Sequence, residues 1–434
     1  MGVRKLQSFI ESTTPTTVFR KVKILDLRKV YEKEHPGKPV ELLVDLDCCI
    51  PHLFHEDVME PKFGGDMKTV VVNAMKEFFL RFNEIGIRLI TFVGNHKPQA
   101  KRQRWVQKRC EAVHTVNKLM DKIIKNPESK LEPDILNTYD LIPSELVRTV
   151  AAFIQFELKE TVVHSFTENH IEIQTYARTH KSFGILSQDT DYIISNASCY
   201  YLSAANLCLC PKDITTYIYD SHGLAEYLHI HVNQLPLFAT MMGNDIMVFD
   251  VMKCYQYETS KYGKGSAFVK NVAALCSLVK CNYKGFAFNW AHLYDLAKTV
   301  SNNRETYSPT KVYNLMMKSI DSYHSYNVED ELLIERVEQL EHPCDQWDVA
   351  TLALTLYRQC FITSDVLMLI CAKQVQMGTC IEILNDRRVR LIGDVLARLR
   401  KVLYGVVFNG KFLLVLVFIY ITLPIPTHYC HLII

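Results

Sequence analysis

The chain is 434 residues long, 48% apolar and 22% charged, the profile of a folded protein with room for two or three domains. A net charge of +2 excludes a globally basic or acidic surface, so any nucleic-acid argument must rest on local clusters. Fourteen cysteines with no secretory signal read as reduced intracellular thiols and not as a disulfide framework.

The opening MGVRKLQSFI lacks the apolar core of a signal peptide, and Leu6 stands where the myristoylation pattern needs Ser or Thr. Val40–Asp47 reads as a buried strand running out into acids, with Asp45 and Asp47 alternating around Leu46. Asp66–Ile85 has helical apolar spacing and stops at Gly86, and Ile87–Val93 is a second buried strand ending at Gly94. Lys97–Lys122 then reads as largely helical. Strand, helix, strand, helix in this order predicts parallel strands joined by right-handed crossovers, hence an α/β domain.

Pro143–Leu158 has amphipathic helical spacing, Thr161–Phe166 reads as a strand and Glu168–His180 as a helix. Next comes GILSQDTDYIISN (184–196), a short apolar strand that stops in the D-x-D pair Asp189 and Asp191. Open α/β sheets hold their sites at such carboxyl ends. Two carboxylates a few Å apart repel by roughly 4 kcal/mol at an effective dielectric of 20. Three arrangements relieve this: a divalent cation, a shared proton, or divergence into solvent as an ordinary turn.

Tyr200–Leu209 and Thr215–Tyr219 read as short strands, and Gly223–Ile230 and Val232–Met242 as helices leading to Gly243-Asn244-Asp245. From there to about Phe408 the pattern is mainly helical. Glu329–Glu341 is read as an acidic, solvated helix face. Phe412–Ile434 carries no charged residue. Its apolar run before Pro424 is shorter than the ~20 residues that span a bilayer, so a membrane anchor is disfavoured against a buried strand or a tail foreign to the fold. The expected organisation is a domain over 1–250, a mainly helical region over 251–408, and an apolar tail over 409–434.

Acids therefore collect from strand ends (Asp45, Asp47, Asp189, Asp191), from one helix face (Glu168, Glu172) and from the turn at Asp245. Such a set is what a two-metal phosphodiesterase needs, each Mg²⁺ taking a few carboxylates plus waters. Lys97, Lys101, Arg102, Arg104, Lys108 and Arg109 form a basic run with no acid between them. It is either a solvated face or a contact for nucleic-acid phosphates, which require no more than such a cluster. Cys48, Cys49, His52 and His55 run from the strand into a loop without paired zinc knuckles, and read as buried thiols. Cys208 and Cys210 alternate like strand residues and are placed in the core.

MGVRKLQSFI, VDLDCC (44–49), the ExxxE helix of Glu168 and Glu172, SQDTDYII and GNDI resemble, in that order, the flap-endonuclease/XP-G class of PIN-like nucleases. Within that class MGVRKLQ, VDLDCC, KRQRW (101–105), GILSQDTDYII and MMGNDI (241–246) make the chain most similar to the constitutive coactivator of PPAR-gamma family, over about residues 1–250 and again at RLRKVLYGVVF (398–408). The resemblance implies a PIN-like parallel sheet with flanking helices, followed by a mainly helical C-terminal region. It places Asp45, Glu172, Asp189, Asp191 and Asp245 on carboxylate positions of the active nucleases, with Mg²⁺ as the cation such a cluster would hold. It also puts Gly94 where those enzymes carry an aspartate, His170 where they carry a glutamate, and Lys5 on a glycine. Two of about seven acids of a two-metal site are then missing. The resemblance thus favours a non-catalytic, nuclear (also cytoplasmic) coactivator or scaffold with protein partners, a nuclear receptor among them, that also touches RNA or DNA. The alternative it leaves is a Mg²⁺-dependent structure-selective endonuclease with a depleted site. No LxxLL receptor box is evident, so the receptor enters through the resemblance alone.

Overall fold

The computed structural model describes residues 2–3, 5–53, 67–94, 146–166, 168–210, 213–247, 251–252, 290–301, 307–324 and 349–362, with shorter pieces elsewhere. The basic run at 95–110, the acidic stretch 329–341, His55 and nearly all of 409–434 lie outside the described residues. Two compact units interleave along the chain. One comprises Met1–Leu53, Ala74–Phe92 and Glu168–Glu335, the other Phe54–Asn73, Val93–Thr167 and Arg336–Ile434.

In chain order the strands are β1 (Phe19–Lys23), β2 (Glu41–Asp45), β3 (Arg88–Gly94), β4 (Thr161–Ser165), β5 (Gly184–Ser187), β6 (Tyr200–Ser203), β7 (Cys208–Leu209) and β8 (Ile214–Tyr219). The first unit is built on a sheet in the order β1-β8-β6-β5-β2-β3, with β7 also paired to β8. Its middle is parallel: β2 pairs with β3 and β5, and β5 with β6. All five residues of β2 and all four of β5 are buried. These are the continuous apolar runs expected of strands covered on both faces. Beyond β6 the sheet turns mixed, because β8 runs antiparallel to both β6 and β1. A short β6–β7–β8 excursion is long enough for hairpin returns but too short for a crossover helix.

Helices flank this sheet. Leu6–Thr13 and Ile24–Glu34 precede β2, and Asn169–His180 leads into β5. Leu235–Met242 is buried at every residue, so its apolar character runs all round and not along one stripe. Pro309–Asp321 begins at a Ser308 cap that accepts from the Lys311 N–H. In the second unit, β4 lies with the helices Leu146–Phe156 and Val349–Arg358. There the buried Arg358 donates to the His164 carbonyl at 2.8 Å and Tyr357 to the Ser165 carbonyl at 3.0 Å. No described helix is long and apolar enough to cross a membrane.

Three local expectations are corrected. The strand at 41 ends at Asp45, and the helix Leu46–Leu53 starts at once. Asp47 therefore sits in a helical first turn, where the macrodipole favours an acid, and not at a strand end. Cys48, Cys49 and His52 lie on that helix and not in a loop. Cys210 is exposed and Cys208 half-buried, because β7 is a two-residue strand bonded only to β8 and covers no core.

Candidate functional site: a wired acidic rim

Register brings the first two elements together. Leu42, Leu43 and Val44 of β2 face Gly184, Ile185 and Leu186 of β5, so Asp45 and Ser187 end the two strands side by side. Asp45 is 2% exposed, Glu172 3%, and Asp189 and Asp191 6% each. Divergence into solvent is thereby excluded for the D-x-D pair.

Asp45 is satisfied by neutral donors of the protein. Its Oδ1 accepts from Asn169 Nδ2 at 2.8 Å, and its Oδ2 from Tyr192 OH at 2.9 Å and Ser187 Oγ at 3.1 Å. Three donors on two oxygens compensate the burial of a charge. A cation at Asp45 would compete with these donors for the same two oxygens.

The D-x-D turn is braced from within. Ser187 Oγ also accepts the Asp189 N–H at 3.2 Å, and Asp189 Oδ1 accepts the Asp191 N–H at 3.1 Å. Thr190 is tied to the start of the chain, its Oγ1 accepting the Val3 N–H at 2.7 Å. Gly2 has φ +73°, and a Cβ there would collide with the Asp189 and Thr190 side chains and lie 2.8 Å from the Thr190 nitrogen. Only glycine fits so close an approach.

The two acids of the pair are driven apart electrically. Burial and the Asp189 charge raise the Asp191 carboxyl to about 7, against opposing pulls from His170 and Tyr323. Burial also pushes Asp189 up, but positive charge beside it, the His170 imidazole included, and the Asp191 N–H hold it below the ordinary range. With no cation between them, the two acids part in the manner of a shared proton, Asp189 ionised and Asp191 held up towards neutrality.

Asp191 is in turn wired to the helical segment. Its Oδ1 accepts from Tyr323 OH at 2.8 Å; that hydroxyl accepts from Asn244 Nδ2 at 3.0 Å; and Asn244 Nδ2 also donates to Ser319 Oγ at 2.7 Å, which lies 2.7 Å from Thr240 Oγ1. Asn244 further caps its own turn, its Oδ1 accepting the Ile246 and Met247 N–H groups at 3.0 and 2.8 Å.

The remaining expected residues are placed as follows. Glu172 is buried in the first turn of Asn169–His180. Glu168 precedes that helix, and its carboxylate lies 3.7 Å from His170 Nδ1. Asp245 is half-buried beside Asn244. Gly94 closes β3, two residues past Phe92, the partner of Asp45. Lys5 is exposed with φ 56°, at the start of Leu6–Thr13, a left-handed position that favours glycine. Lys97, Lys101, Arg102, Arg104 and Lys108 lie outside the described residues. Among the described residues no three His, Cys, Asp or Glu side chains gather as a metal-holding group. With three protein donors on Asp45 and no such group beside it, the described rim does not fit a two-cation clamp.

Sequence reasoning missed the donors. Ser187 and Tyr192 lie inside the segment that drew attention for its acids, and a strand-end Ser and a buried Tyr beside D-x-D were the available signals. Asn244 lay within the flagged MMGNDI turn, whereas Asn169, Ser319 and Tyr323 carried no local signal.

No protein-family model matches the sequence. Among characterised proteins, the mouse constitutive coactivator of peroxisome proliferator-activated receptor gamma is 30% identical over 327 residues, 74% of this chain. The human protein is 31% identical over 261 residues, 59% of the chain. The chain is a sequence relative of these coactivators. It spans 39% of the length of the mouse coactivator and 27% of the human one. A coactivator-like protein 1 homolog from Xenopus tropicalis is 25% identical over 259 residues, 57% of this chain and 24% of its own length. Solved structures that align with the chain include the catalytic core of Rad2 in complex with DNA substrate, at 12% identity and a TM-score of 0.38, covering 85% of this chain and 99% of that one. The junction-resolving enzyme GEN-1 aligns at 15% identity and a TM-score of 0.40, covering 82% and 72%.

Proposed function

We propose that the chain is a PIN-like nuclease-fold protein that does not cut, serving as a nuclear coactivator or scaffold module like the coactivators it resembles in sequence. Its residues 1–250 form the nuclease-type domain, and Asp45, Glu172, Asp189, Asp191 and Asp245 are the vestige of the acidic site. The observation that carries this reading is the engagement of both Asp45 oxygens by Asn169, Ser187 and Tyr192, which take three of about four accepting positions. A carboxylate that must grip Mg²⁺ needs open lone pairs. Here both oxygens hold the ends of β2 and β5 and the helix start together.

The partners of such a module are proteins, a nuclear receptor among them. The basic run Lys97, Lys101, Arg102, Arg104 and Lys108 supplies a salt-sensitive contact for nucleic-acid phosphates. The test is incubation of purified chain with labelled flap, bubble and single-stranded DNA in Mg²⁺ or Mn²⁺. The expected result is intact substrate. Cleavage that disappears in Asp189→Ala would instead establish a Mg²⁺-dependent endonuclease with a depleted site.

A further inference from the structure

Cys208 and Cys210 lie on the side of the sheet where β7 is bonded only to β8, with Cys208 opposite Thr215 and Leu209 opposite Ile214. Residues two apart in extended backbone project to the same face. Cys210 lies just past the end of β7, and the two Sγ atoms stand 3.0 Å apart. A disulfide needs about 2.05 Å, so closure asks for roughly 1 Å of approach, within reach of side-chain rotation. Both sulfurs are accessible: Cys210 is exposed and Cys208 half-buried, and both are thiols.

The Cys210 thiol is raised above its ordinary value, first because its proton is shared with Cys208 and then by the charge of that neighbour. Lys21 on β1 favours a thiolate there, whereas Asp213 opposes it. Asp213 is itself bound to Lys23 at 2.8 Å. The thiolate and not the thiol is the attacking form, so reaction at the pair quickens as pH rises.

We propose that Cys208 and Cys210 form a reversible dithiol–disulfide couple that reacts with low-molecular-weight disulfides such as oxidised glutathione. One thiolate attacks a sulfur of the small disulfide, forming a mixed disulfide and expelling one small thiolate. The second protein thiolate, its proton lost to solvent, attacks the mixed disulfide at the protein sulfur and expels the other. The protein dithiol loses two electrons and two protons, and the small disulfide becomes two thiols. A ring closed across a single intervening residue at an exposed site is strained and readily reduced, a labile couple and not a structural staple.

The test uses the full chain, reduced and then exposed to oxidised glutathione, with remaining thiols alkylated and peptides mapped by mass spectrometry. The expected product is a peptide containing both cysteines, lighter by two hydrogens, unalkylated, and returned to the dithiol by dithiothreitol. Cys199, also exposed, should collect only the mixed disulfide. In Cys208→Ser, Cys210 should accumulate a stable glutathione adduct, which separates ring closure from simple accessibility. A wild-type peptide that keeps the adduct without closing, or is fully alkylated at both positions, would overturn the proposal.

Discussion

Replacing Asp45 by alanine separates a carboxylate that builds the fold from one retained for chemistry. The side chain accepts three hydrogen bonds, from Asn169, Tyr192 and Ser187. Alanine would strand all three donors. Tyr192 and Ser187 are buried, and each stranded donor costs about 1–3 kcal/mol. Asn169 is part-buried and can turn to water. The expected loss is therefore about 2–6 kcal/mol, a large share of the 5–15 kcal/mol typical of a folded domain. Asp45→Asn should fall between: its carbonyl can still accept from Tyr192 and Ser187, and its amide can meet Asn169 once that amide rotates, at a cost of about 1 kcal/mol. Urea denaturation followed by circular dichroism reads the order wild type, Asn, Ala. If both variants were as stable as wild type or more so, Asp45 would be a strained functional carboxylate, as active sites often hold, and the structural role argued for it would be wrong.

Other outcomes follow from the same rim. Asp191→Asn should gain stability near neutral pH and none at acid pH. The Asp191 carboxyl is raised to about 7 in the folded chain, so its contribution is full below the ordinary carboxyl range and lost as pH rises through about 7; Asp189, held low, contributes in the opposite sense, lost as pH falls. Urea midpoints from pH 4 to 8 test this, and an unchanged pH profile in the variant would refute it. Gly2→Ala should lower the midpoint by an amount equivalent to about 1–3 kcal/mol, since both its φ of +73° and the nearness of Thr190 forbid a side chain; an unaltered midpoint would contradict that packing. Lys5→Gly should raise stability by about 0.5 kcal/mol, the relief of left-handed strain less the entropy of glycine, whereas Lys5→Ala should leave it unchanged.

What could be read ahead of the structure was the sheet's middle. The apolar runs of β2 and β5 end in carboxylates, and such runs identify buried parallel strands without any tertiary information. The end of β2 was harder, since Asp45-Leu46-Asp47 alternates like a strand yet Asp47 serves a helix start. The direction of β8 was hidden for another reason: periodicity reports which residues share a face, never which way a strand runs. Likewise, the alternation of Cys208 and Cys210 located a common face but could not say that this face meets solvent.

The acids of the rim were found because charge at a strand end is conspicuous, but the donors that decide their role were not. Tyr192 and Asn169 reach Asp45 across more than a hundred residues of chain, and Tyr323 reaches Asp191 across a similar distance. A tyrosine or asparagine has no sequence context that marks it as the partner of a remote carboxylate. Hydrogen-bond satisfaction is a property of the packed core, so the difference between an open metal site and a closed polar network appears only once the chain has folded.

The most direct measurement is calorimetric titration of the purified chain with Mg²⁺ and Mn²⁺, wild type beside Asp189→Ala. A rim whose carboxylates are held by Asn169, Ser187, Tyr192 and Tyr323 predicts no saturable heat at millimolar metal and no difference between the two proteins. Saturable uptake of one or two ions per chain, abolished by Asp189→Ala, would contradict it.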